Sequence, residues 1–344
     1  MSALSAFTVA WALLALGVTL TVLLKARRRP NSAYVARRGV FLLRPIDSPS
    51  AQELENLNAP LPPGVRQVVL CPFRLRVAEG VEWLPSDPPS GNRKLGHVKY
   101  ALDVLGPRET VVVIDGDVRV DEALLASLLG ALDAGADAAW AAPQPQRAGL
   151  ERGVLVQSLH SFDALAAISP APMTMCGKAV ALGPKAVEVL RALPDCVGED
   201  LELASQLHQR GLTVELAGRA LLPGSAGAPL QRFTRWMQVL RAHRPFLFPA
   251  VPIFFACTPV LLGASAWTLE PVVVAVTAAV LIARTFVAWR AERAAASTLA
   301  PVWWLGAEGL LLVAWVGALV RGRTVIWRGR RLQLTPGGAL AARS

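Results

Sequence analysis

Long apolar runs near both ends of the chain dominate its hydrophobic pattern. Residues 3–24 form an uncharged run of 22 residues, and a helix needs about 20 apolar residues to cross a bilayer core. Three further apolar runs occupy 245–269, 270–289 and 301–320. The pattern predicts a transmembrane anchor over residues 1–25 and transmembrane or re-entrant segments over 245–320. A cleaved signal peptide is the alternative for the first run, but that run is too long for one and no clear cleavage site follows.

Charged residues beside and within these runs predict their topology. Basic residues directly follow the first run, so the positive-inside rule places the chain after it in the cytoplasm. The basic tail over 321–344 should lie on the same side, which excludes three complete crossings after residue 240. We expect 301–320 to be re-entrant, because Glu308 lies in its middle and a central acid costs about 2.5–3.5 kcal/mol. Arg284 lies near the end of its run, from which it could reach the interface.

Short β-rich runs alternate with amphipathic helical patterns between the apolar ends. Strands are predicted over 39–45, 66–71, 109–115 and 212–218. Helices are predicted over 50–57, 97–105, 121–132, 184–193 and 199–211. Such alternation predicts a mostly parallel sheet covered by helices on both faces, here in a cytoplasmic α/β domain over 26–228. Ligands of such sheets bind beyond the carboxyl ends of the strands.

Composition and charge favour a membrane protein over a nucleic-acid-binding one. Only 17% of the residues are charged, against about 25% in typical soluble domains. Two basic blocks, at 25–38 and 321–343, together carry more positive charge than the net charge of +10, and both flank apolar runs. A nucleic-acid-binding protein would instead spread basic charge over its folded domain, so we expect no nucleic-acid partner. The four cysteines lack the spacing of a zinc site or a disulfide framework, and we expect them to be reduced.

An acidic pair follows one of the predicted strands. Asp115 and Asp117, separated by Gly116, come directly after an apolar run. Two carboxylates at the carboxyl end of a strand suit a hard divalent cation, which would also neutralise a diphosphate. Gly116 would allow a ligand to approach closely. An ordinary acidic turn is the alternative, and these three residues alone do not decide between the two.

Two more polar clusters lie further along the chain. Glu199 and Asp200 begin a predicted helix, where the helix dipole favours acidic residues even without a function. A basic and aromatic face follows over 229–244, formed by Arg232, Arg235, Trp236 and Arg241. This stretch is predicted to be an interfacial amphipathic helix, a clamp for a diphosphate or lipid headgroup, or both.

These clusters, in this order, resemble the membrane-bound GT-A glycosyltransferases of family 2, and most of all their ceramide glucosyltransferase branch. The resembling segments are LLRPIDS (42–48), GNRKLGHV (91–98), DGDVRV (115–120), GED (198–200), RFTRW (232–236) and GRTVIWRGRRLQL (322–334). The resemblance implies a Rossmann-like GT-A domain for nucleotide sugars, with transmembrane helices on both sides of it.

The resemblance also implies a role for each matching residue. Asp115 and Asp117 would hold Mn²⁺ or Mg²⁺ and the diphosphate of a nucleotide sugar, with a UDP-sugar expected. Asp200 would be the general base that deprotonates the acceptor hydroxyl, so that displacement inverts the anomeric carbon. The other implied donor ligands are Asn92, Lys94, Arg232, Arg235 and Trp236, and the implied acceptor ligands are His160 and Trp236. An ordinary histidine of the core or surface is the alternative for His160.

One stretch departs from the family pattern. The family has an acidic residue for the nucleobase soon after its second strand, where this chain has Arg74 and Arg76. Only about 20 residues separate the end of that strand from GNRK, so a helix and a strand of the nucleotide-binding half look abbreviated. The resemblance therefore does not extend to the family's acidic contact with the nucleobase.

Together these features predict transfer of a sugar from a nucleotide donor to the hydroxyl of a membrane lipid. The reaction would take place at the cytoplasmic face of a bacterial inner membrane. A polysaccharide synthase is one alternative, although it would usually need more membrane spans. A degenerate, non-catalytic member of the family that binds a lipid or a partner is the other.

Overall fold

The computed structural model describes residues 1–25, 40–106, 110–146, 149–168, 174–223, 228–294, 303–327, 330–335 and 337–340. The chain divides into two compact units. A helical unit comprises Met1–Arg27, Arg147–Pro170 and Ser225–Gly337, and an α/β unit comprises Arg28–Gln146, Ala171–Gly224 and Gly338–Ser344. Most of the first basic block, residues 26–38, lies outside the described residues.

The secondary structure alternates as the hydrophobic pattern predicts. The helices are α1 (Ala3–Lys25), α2 (Ala51–Leu57), α3 (Arg93–Leu105), α4 (Glu122–Asp133), α5 (Leu150–Ile168), α6 (Pro184–Ala192), α7 (Glu199–Gln209), α8 (Pro229–His243), α9 (Thr258–Thr268), α10 (Pro271–Ala294) and α11 (Trp303–Arg321). The strands are β1 (Val40–Pro45), β2 (Val65–Cys71), β3 (Glu82–Pro85), β4 (Thr110–Ile114), β5 (Ala138–Pro145), β6 (Ala179–Leu182), β7 (Val214–Leu222), β8 (Thr324–Trp327) and β9 (Arg330–Gln333).

A seven-stranded sheet forms the centre of the α/β unit, in the order β3-β2-β1-β4-β6-β5-β7. All neighbouring strands pair in parallel except β6, which is antiparallel to both β4 and β5. All six residues of β1 are buried, as expected for a strand covered on both faces. The predicted α/β fold with a mostly parallel sheet is therefore confirmed.

The sequence predicts that a helix and a strand of the nucleotide-binding half are abbreviated. The structure has no helix directly after β2, and it keeps a strand of only four residues, β3. Residues 72–81, which the structure describes throughout, contain no helix. The four-residue β3 nevertheless pairs in parallel with β2, in register from Val68↔Glu82 to Cys71↔Pro85. Parallel neighbours are usually joined through a helix, so this connection is unusually short.

The helical unit contains the long apolar helices. Among the described residues, three helices are long and apolar enough to cross a membrane: Ala3–Leu24, Pro271–Arg290 and Trp303–Arg321. The apolar run over 245–269 is instead broken into a π-helix, Val251–Phe255, and the 11-residue α9. A helix of that length extends about 16 Å, well short of a bilayer core of about 30 Å. The interruption therefore lies in 245–269, whereas Trp303–Arg321, which covers most of the run that we expected to be re-entrant, is one continuous helix.

The unbroken α11 accommodates Glu308 because Arg284 neutralises it. Both side chains are fully buried and form an ion pair. Arg284 also donates to the Phe254 carbonyl and, over 2.8 Å, to the Thr258 hydroxyl. Glu308 accepts from the Thr258 backbone N–H at 3.0 Å. The pair thus satisfies backbone groups at the break before α9, where a bilayer would supply no hydrogen bonds.

Candidate active site

The loop after β4 is held by two buried side chains beneath it. Arg44 on β1 is fully buried and donates to the carbonyls of Gly116 and Val118, at 3.2 and 2.9 Å. The amide of Asn56 donates to the same Gly116 carbonyl at 3.1 Å. These bonds fix the backbone that carries Asp115 at the carboxyl end of the strand, where ligands of parallel sheets bind.

Gly116 makes room for protein atoms. A Cβ at this position would lie 2.7 Å from Ile46 Cδ1 and 3.2 Å from a carboxylate oxygen of Glu53. The sequence suggested that the glycine admits a ligand. In the structure, the side chains of Ile46 and Glu53 instead fill the space beside Gly116.

Two lysines neutralise the acidic pair. Lys94 Nζ lies 2.8 Å from Asp115 Oδ1 and 3.2 Å from Glu199 Oε1. Lys178 Nζ lies 3.0 Å from Asp115 Oδ2 and within 2.9 Å of both carboxylate oxygens of Asp117. The pair therefore receives positive charge from both sides.

These ion pairs set the protonation of the site. Burial alone would raise the pKa of Asp115, but Lys94 and Lys178 outweigh it and lower that pKa to about 2. Burial opposes the charged form of each lysine, and the neighbouring carboxylates still raise both lysine pKa values above the ordinary range. Asp115, Lys94 and Lys178 are all charged at neutral pH.

Asp200 has a different environment at the start of α7. Burial, followed by the charge of Glu199, raises its pKa to about 6, although Lys94 and two backbone N–H groups act in the opposite direction. Those groups belong to Gly177 and Leu201, each 2.9 Å from a carboxylate oxygen of Asp200. Asp200 is therefore an oriented carboxylate that accepts a proton more readily than an ordinary aspartate.

Glycine 198 allows the chain to turn into α7. Its φ of 86° and ψ of 45° lie in the left-handed region, which costs glycine little and other residues more. The turn brings Glu199 and Asp200 to the same cavity as Lys94 and Gly177.

Asn92 holds the site together through its side-chain amide. It is fully buried at the N-cap of α3. Its Nδ2 donates to the Cys196 carbonyl and to Glu199, each at 2.8 Å, and its Oδ1 accepts from the Leu95 N–H. The amide thus uses both donors and an acceptor within the chain, and in the structure it positions Glu199.

The remaining site residues from the sequence lie in the helical unit. On α8, Arg232 pairs with Glu151, and Trp236 packs edge-on against Phe233 at 5.2 Å. Arg235 is partly buried on the same helix. His160 on α5 is 1% exposed, and neither ring nitrogen has a hydrogen-bond partner within the described part of the chain. The α/β unit therefore brings together Asn92, Lys94, Asp115, Asp117 and Asp200, whereas Arg232, Arg235, Trp236 and His160 belong to the other unit.

The model of glycosyl transferase family 21 matches residues 86–340, which include all of these positions. This match covers well over half of the chain. The chain belongs to glycosyl transferase family 21. That family is of the GT-A type and related to family 2, so the expected glycosyltransferase family and fold are confirmed at this level.

This family 21 protein is also similar to solved structures of other proteins. A mannosyltransferase from Pyrobaculum calidifontis, in complex with GDP-Man and Mn²⁺, is 16% identical with a TM-score of 0.50, over 92% of this chain and 99% of that one. Glucosyl-3-phosphoglycerate synthase from Mycobacterium tuberculosis, in complex with phosphoglyceric acid, is 15% identical with a TM-score of 0.38, over 58% and 75%. At such identities the first likeness shows the fold alone. No curated protein matches the sequence.

The residues of the family 21 site fit one kind of divalent-metal site. The described residues contain no group of three or more His, Cys, Asp or Glu side chains that could hold a metal ion. Mg²⁺, however, is commonly bound through one or two carboxylates together with substrate phosphates. Asp115 and Asp117 provide such a pair.

The sequence did not identify Arg44 and Lys178 as site residues. Arg44 did leave a signal, since it is a charged residue inside the apolar strand β1. Lys178 left none, because a lysine just before a short strand is ordinary. Its contacts with Asp115 and Asp117 depend on the antiparallel pairing of β6 with β4.

Proposed function

We propose that this family 21 protein transfers a sugar from a nucleotide sugar to the hydroxyl of a membrane lipid, with inversion at the anomeric carbon. The observation that carries the proposal is Asp200. Its carboxylate is oriented by two backbone N–H groups and has a raised pKa, and it shares a cavity with Lys94 beside the acidic pair. A general base works best when its pKa lies near the operating pH.

The acidic pair and its lysines form the donor side of the proposed site. Asp115 and Asp117 would hold Mn²⁺ or Mg²⁺, which offsets the negative charge on the diphosphate as it leaves. Asp115, Asp117, Glu199 and Asp200 together with the two lysines sum to a charge of −2 when all are ionised. One divalent cation would balance that charge, and the diphosphate of a nucleotide sugar would then meet less repulsion in the site.

Asp200 is the proposed catalytic residue. It accepts the proton of the acceptor hydroxyl as the oxygen attacks the anomeric carbon, and the bond from that carbon to the diphosphate breaks. The Gly177 and Leu201 N–H groups hold the carboxylate in one orientation. A positioned base of this kind contributes about 10²–10⁴-fold to the rate.

The helical unit is the proposed membrane and acceptor side. Residues 1–25 and 245–320 would anchor the protein, and α8 would lie at the interface within the 229–244 segment. Arg232, Arg235 and Trp236 would bind the diphosphate or the lipid headgroup, and His160 would contact the acceptor. The acceptor class is a lipid hydroxyl, and a ceramide-like lipid is the narrower candidate from the resemblance.

The test is a transfer assay with purified protein in detergent. Radiolabelled nucleotide sugars are supplied one at a time with Mn²⁺ or Mg²⁺ and a bacterial lipid extract, and label entering the organic phase is counted. Asp200→Asn should abolish transfer while leaving donor binding nearly intact. Asp103→Asn, at an exposed position on α3, is the matched control and should transfer normally. Full activity of Asp200→Asn would refute the mechanism.

A second candidate function is a non-catalytic family member that binds lipid or a partner. The missing helix over 72–81, together with Arg74 and Arg76 in the same stretch, favours it. Failure to bind any sugar nucleotide in the presence of Mn²⁺ or Mg²⁺ would decide for it. A long polymeric product in the transfer assay would instead indicate a polysaccharide synthase.

A further inference from the structure

Lys178 uses the same carboxylate oxygens that a metal ion would use. Its Nζ is 2.7 and 2.9 Å from the two oxygens of Asp117 and 3.0 Å from Asp115 Oδ2. An ammonium group at such distances from three oxygens of two carboxylates occupies the position of a bridging cation. Carboxylate oxygens bind Mg²⁺ at about 2.0–2.1 Å, so a metal ion that bridges these oxygens would overlap the position of the ammonium group.

The two lysines of the site differ in how firmly they are held. Lys94 contacts Asp115 and Glu199 and also donates to the Gly177 carbonyl at 2.5 Å. Within the described part of the chain, Lys178 Nζ contacts only Asp115 and Asp117. Lys178 is therefore tied to the acidic pair alone, whereas Lys94 has a backbone acceptor that a metal would not remove.

We propose that Lys178 is an internal counter-ion in the metal position, and that a divalent cation binds to Asp115 and Asp117 by displacing it. This inference rests on the metal site of the proposed function. The displaced ammonium group needs a new anionic partner, and the diphosphate of the donor is an anion of suitable chemistry. Metal and donor binding are then coupled, because each makes the other more favourable.

The first test is the binding of Mn²⁺ alone to the full-length protein, measured from the electron paramagnetic resonance signal of free Mn²⁺. Lys178→Met removes the competing charge and should tighten Mn²⁺ binding by about tenfold or more. Lys185→Met is the matched control, because Lys185 is exposed on α6, and it should bind like the wild type. Lys178→Arg keeps the charge and should not tighten binding.

Two results of this test would overturn the inference. One is equal or weaker binding of Mn²⁺ by Lys178→Met. The other is no uptake of Mn²⁺ by either Lys178→Met or the wild type, because removal of the ammonium group should leave the carboxylate pair available.

The second test needs no variant and applies even if Lys178→Met does not fold. Wild-type protein is treated with an amine-acylating reagent with and without Mn²⁺, and the labelling of each lysine is measured by mass spectrometry. Displacement should raise the labelling of Lys178 several-fold, while Lys185 stays unchanged. Unchanged labelling of Lys178 at saturating Mn²⁺ would contradict displacement.

Failure of this inference and failure of the proposed function give different results. If sugar transfer occurs but Mn²⁺ binding and lysine labelling do not respond as expected, the reaction stands and the role of Lys178 is wrong. If Lys178 responds as expected but no sugar is transferred from any donor, the displaced counter-ion stands and the transferase activity does not.

Discussion

Asp115 and Asp200 lie in one site, but their surroundings move their pKa values in opposite directions. Both are partly buried, which disfavours the charged carboxylate. Asp115 has two ammonium groups against it, which hold its pKa at about 2. Burial and the charge of Glu199 outweigh Lys94 at Asp200, and its pKa rises to about 6. Carboxylates with separated pKa values suit separate roles, one as a permanent charge and one as a base.

The raised pKa of Asp200 predicts the pH dependence of the proposed transfer. If the ionised carboxylate is the base, kcat/KM should fall about tenfold per pH unit below about pH 6, well above the usual aspartate pKa of about 3.9. The measurement is a pH–rate profile with the donor found in the transfer assay. A rate that stays constant down to pH 4.5 would show that Asp200 does not act as the base.

The same shift predicts a pH-dependent stability. The folded protein holds the Asp200 proton more tightly than the unfolded chain, so this contribution is complete below about pH 4 and is lost as pH rises through about 6. Asp200→Asn imitates the protonated form and should therefore raise the free energy of unfolding at pH 8 by at most about 3 kcal/mol, and Tm with it, with little change at pH 4. An equal Tm difference at both pH values would contradict this origin.

At the scale of elements, the hydrophobic pattern did not predict two alanine-rich strands, β5 and β6. β5 and β6 read AAWAAPQP and AVAL, and alanine is depleted in strands. They form because they lie inside the sheet, where β6 pairs with both β4 and β5. The tertiary setting overrides the local preference.

The break before α9 predicts a strong dependence on the ion pair of Arg284 and Glu308. Removing one partner of a buried pair typically costs about 3–5 kcal/mol. Glu308→Leu should therefore lower the thermal stability of the detergent-solubilised protein markedly. Arg284→Met with Glu308→Leu should recover part of the loss, because no charge is then left buried alone. A double variant less stable than both single ones would show that the hydrogen bonds to Phe254 and Thr258 matter more than the charges.

The segment 338–340 lies across the loop that precedes α7. Ala339 forms a β-bridge with Cys196, Val197 donates to the Gly338 carbonyl at 3.2 Å, and a Cβ on Gly91 would lie 2.3 Å from Leu340 Cδ1. The segment therefore supports the loop that leads to Glu199 and Asp200.

Removal of this segment should loosen that loop. Deletion of residues 338–344 is expected to speed amide hydrogen exchange at Val197, because its hydrogen-bond acceptor is lost. Deletion of 341–344 alone keeps the acceptor and serves as the control. Equal exchange at Val197 in both truncated proteins would show that the segment does not stabilise the loop.

At the scale of the whole molecule, the number of membrane crossings decides which segments share a side of the membrane. The sequence has four apolar runs, but only three helices among the described residues are long and apolar enough to cross. If α1, α10 and α11 all cross the membrane and 245–269 does not, the chain between α1 and α10 and the basic tail are predicted to lie on the same side. The positive-inside rule predicts that this side is the cytoplasm. The broken run need not cross.

This topology is testable by cysteine labelling in spheroplasts. The four native cysteines are all buried, so background labelling should be low. A Ser297→Cys variant, between α10 and α11, should react with a membrane-impermeant maleimide. An Asp103→Cys variant should react only after permeabilisation. Labelling of Asp103→Cys in intact spheroplasts would reverse the proposed orientation.

The sequence by itself determined the α/β fold, the long apolar helices and the positions of the acidic motifs. Each of these is recorded locally, as a hydrophobic period, an unbroken apolar run or a cluster of carboxylates after a strand. Glu308 shows the limit of such reasoning. Its charge suggested a re-entrant segment, because the sequence cannot show that Arg284, 24 residues earlier, would be buried against it.

The tertiary structure decided the electrostatics of the site. Lys178 and Arg44 reach the acidic loop only because β6 and β1 both pair with β4. The burial that raises the pKa of Asp200, and the lysines that lower that of Asp115, come from residues distant in the chain. A charge at 3 Å outweighs any local sequence preference, and distances of that kind exist only after the chain has folded.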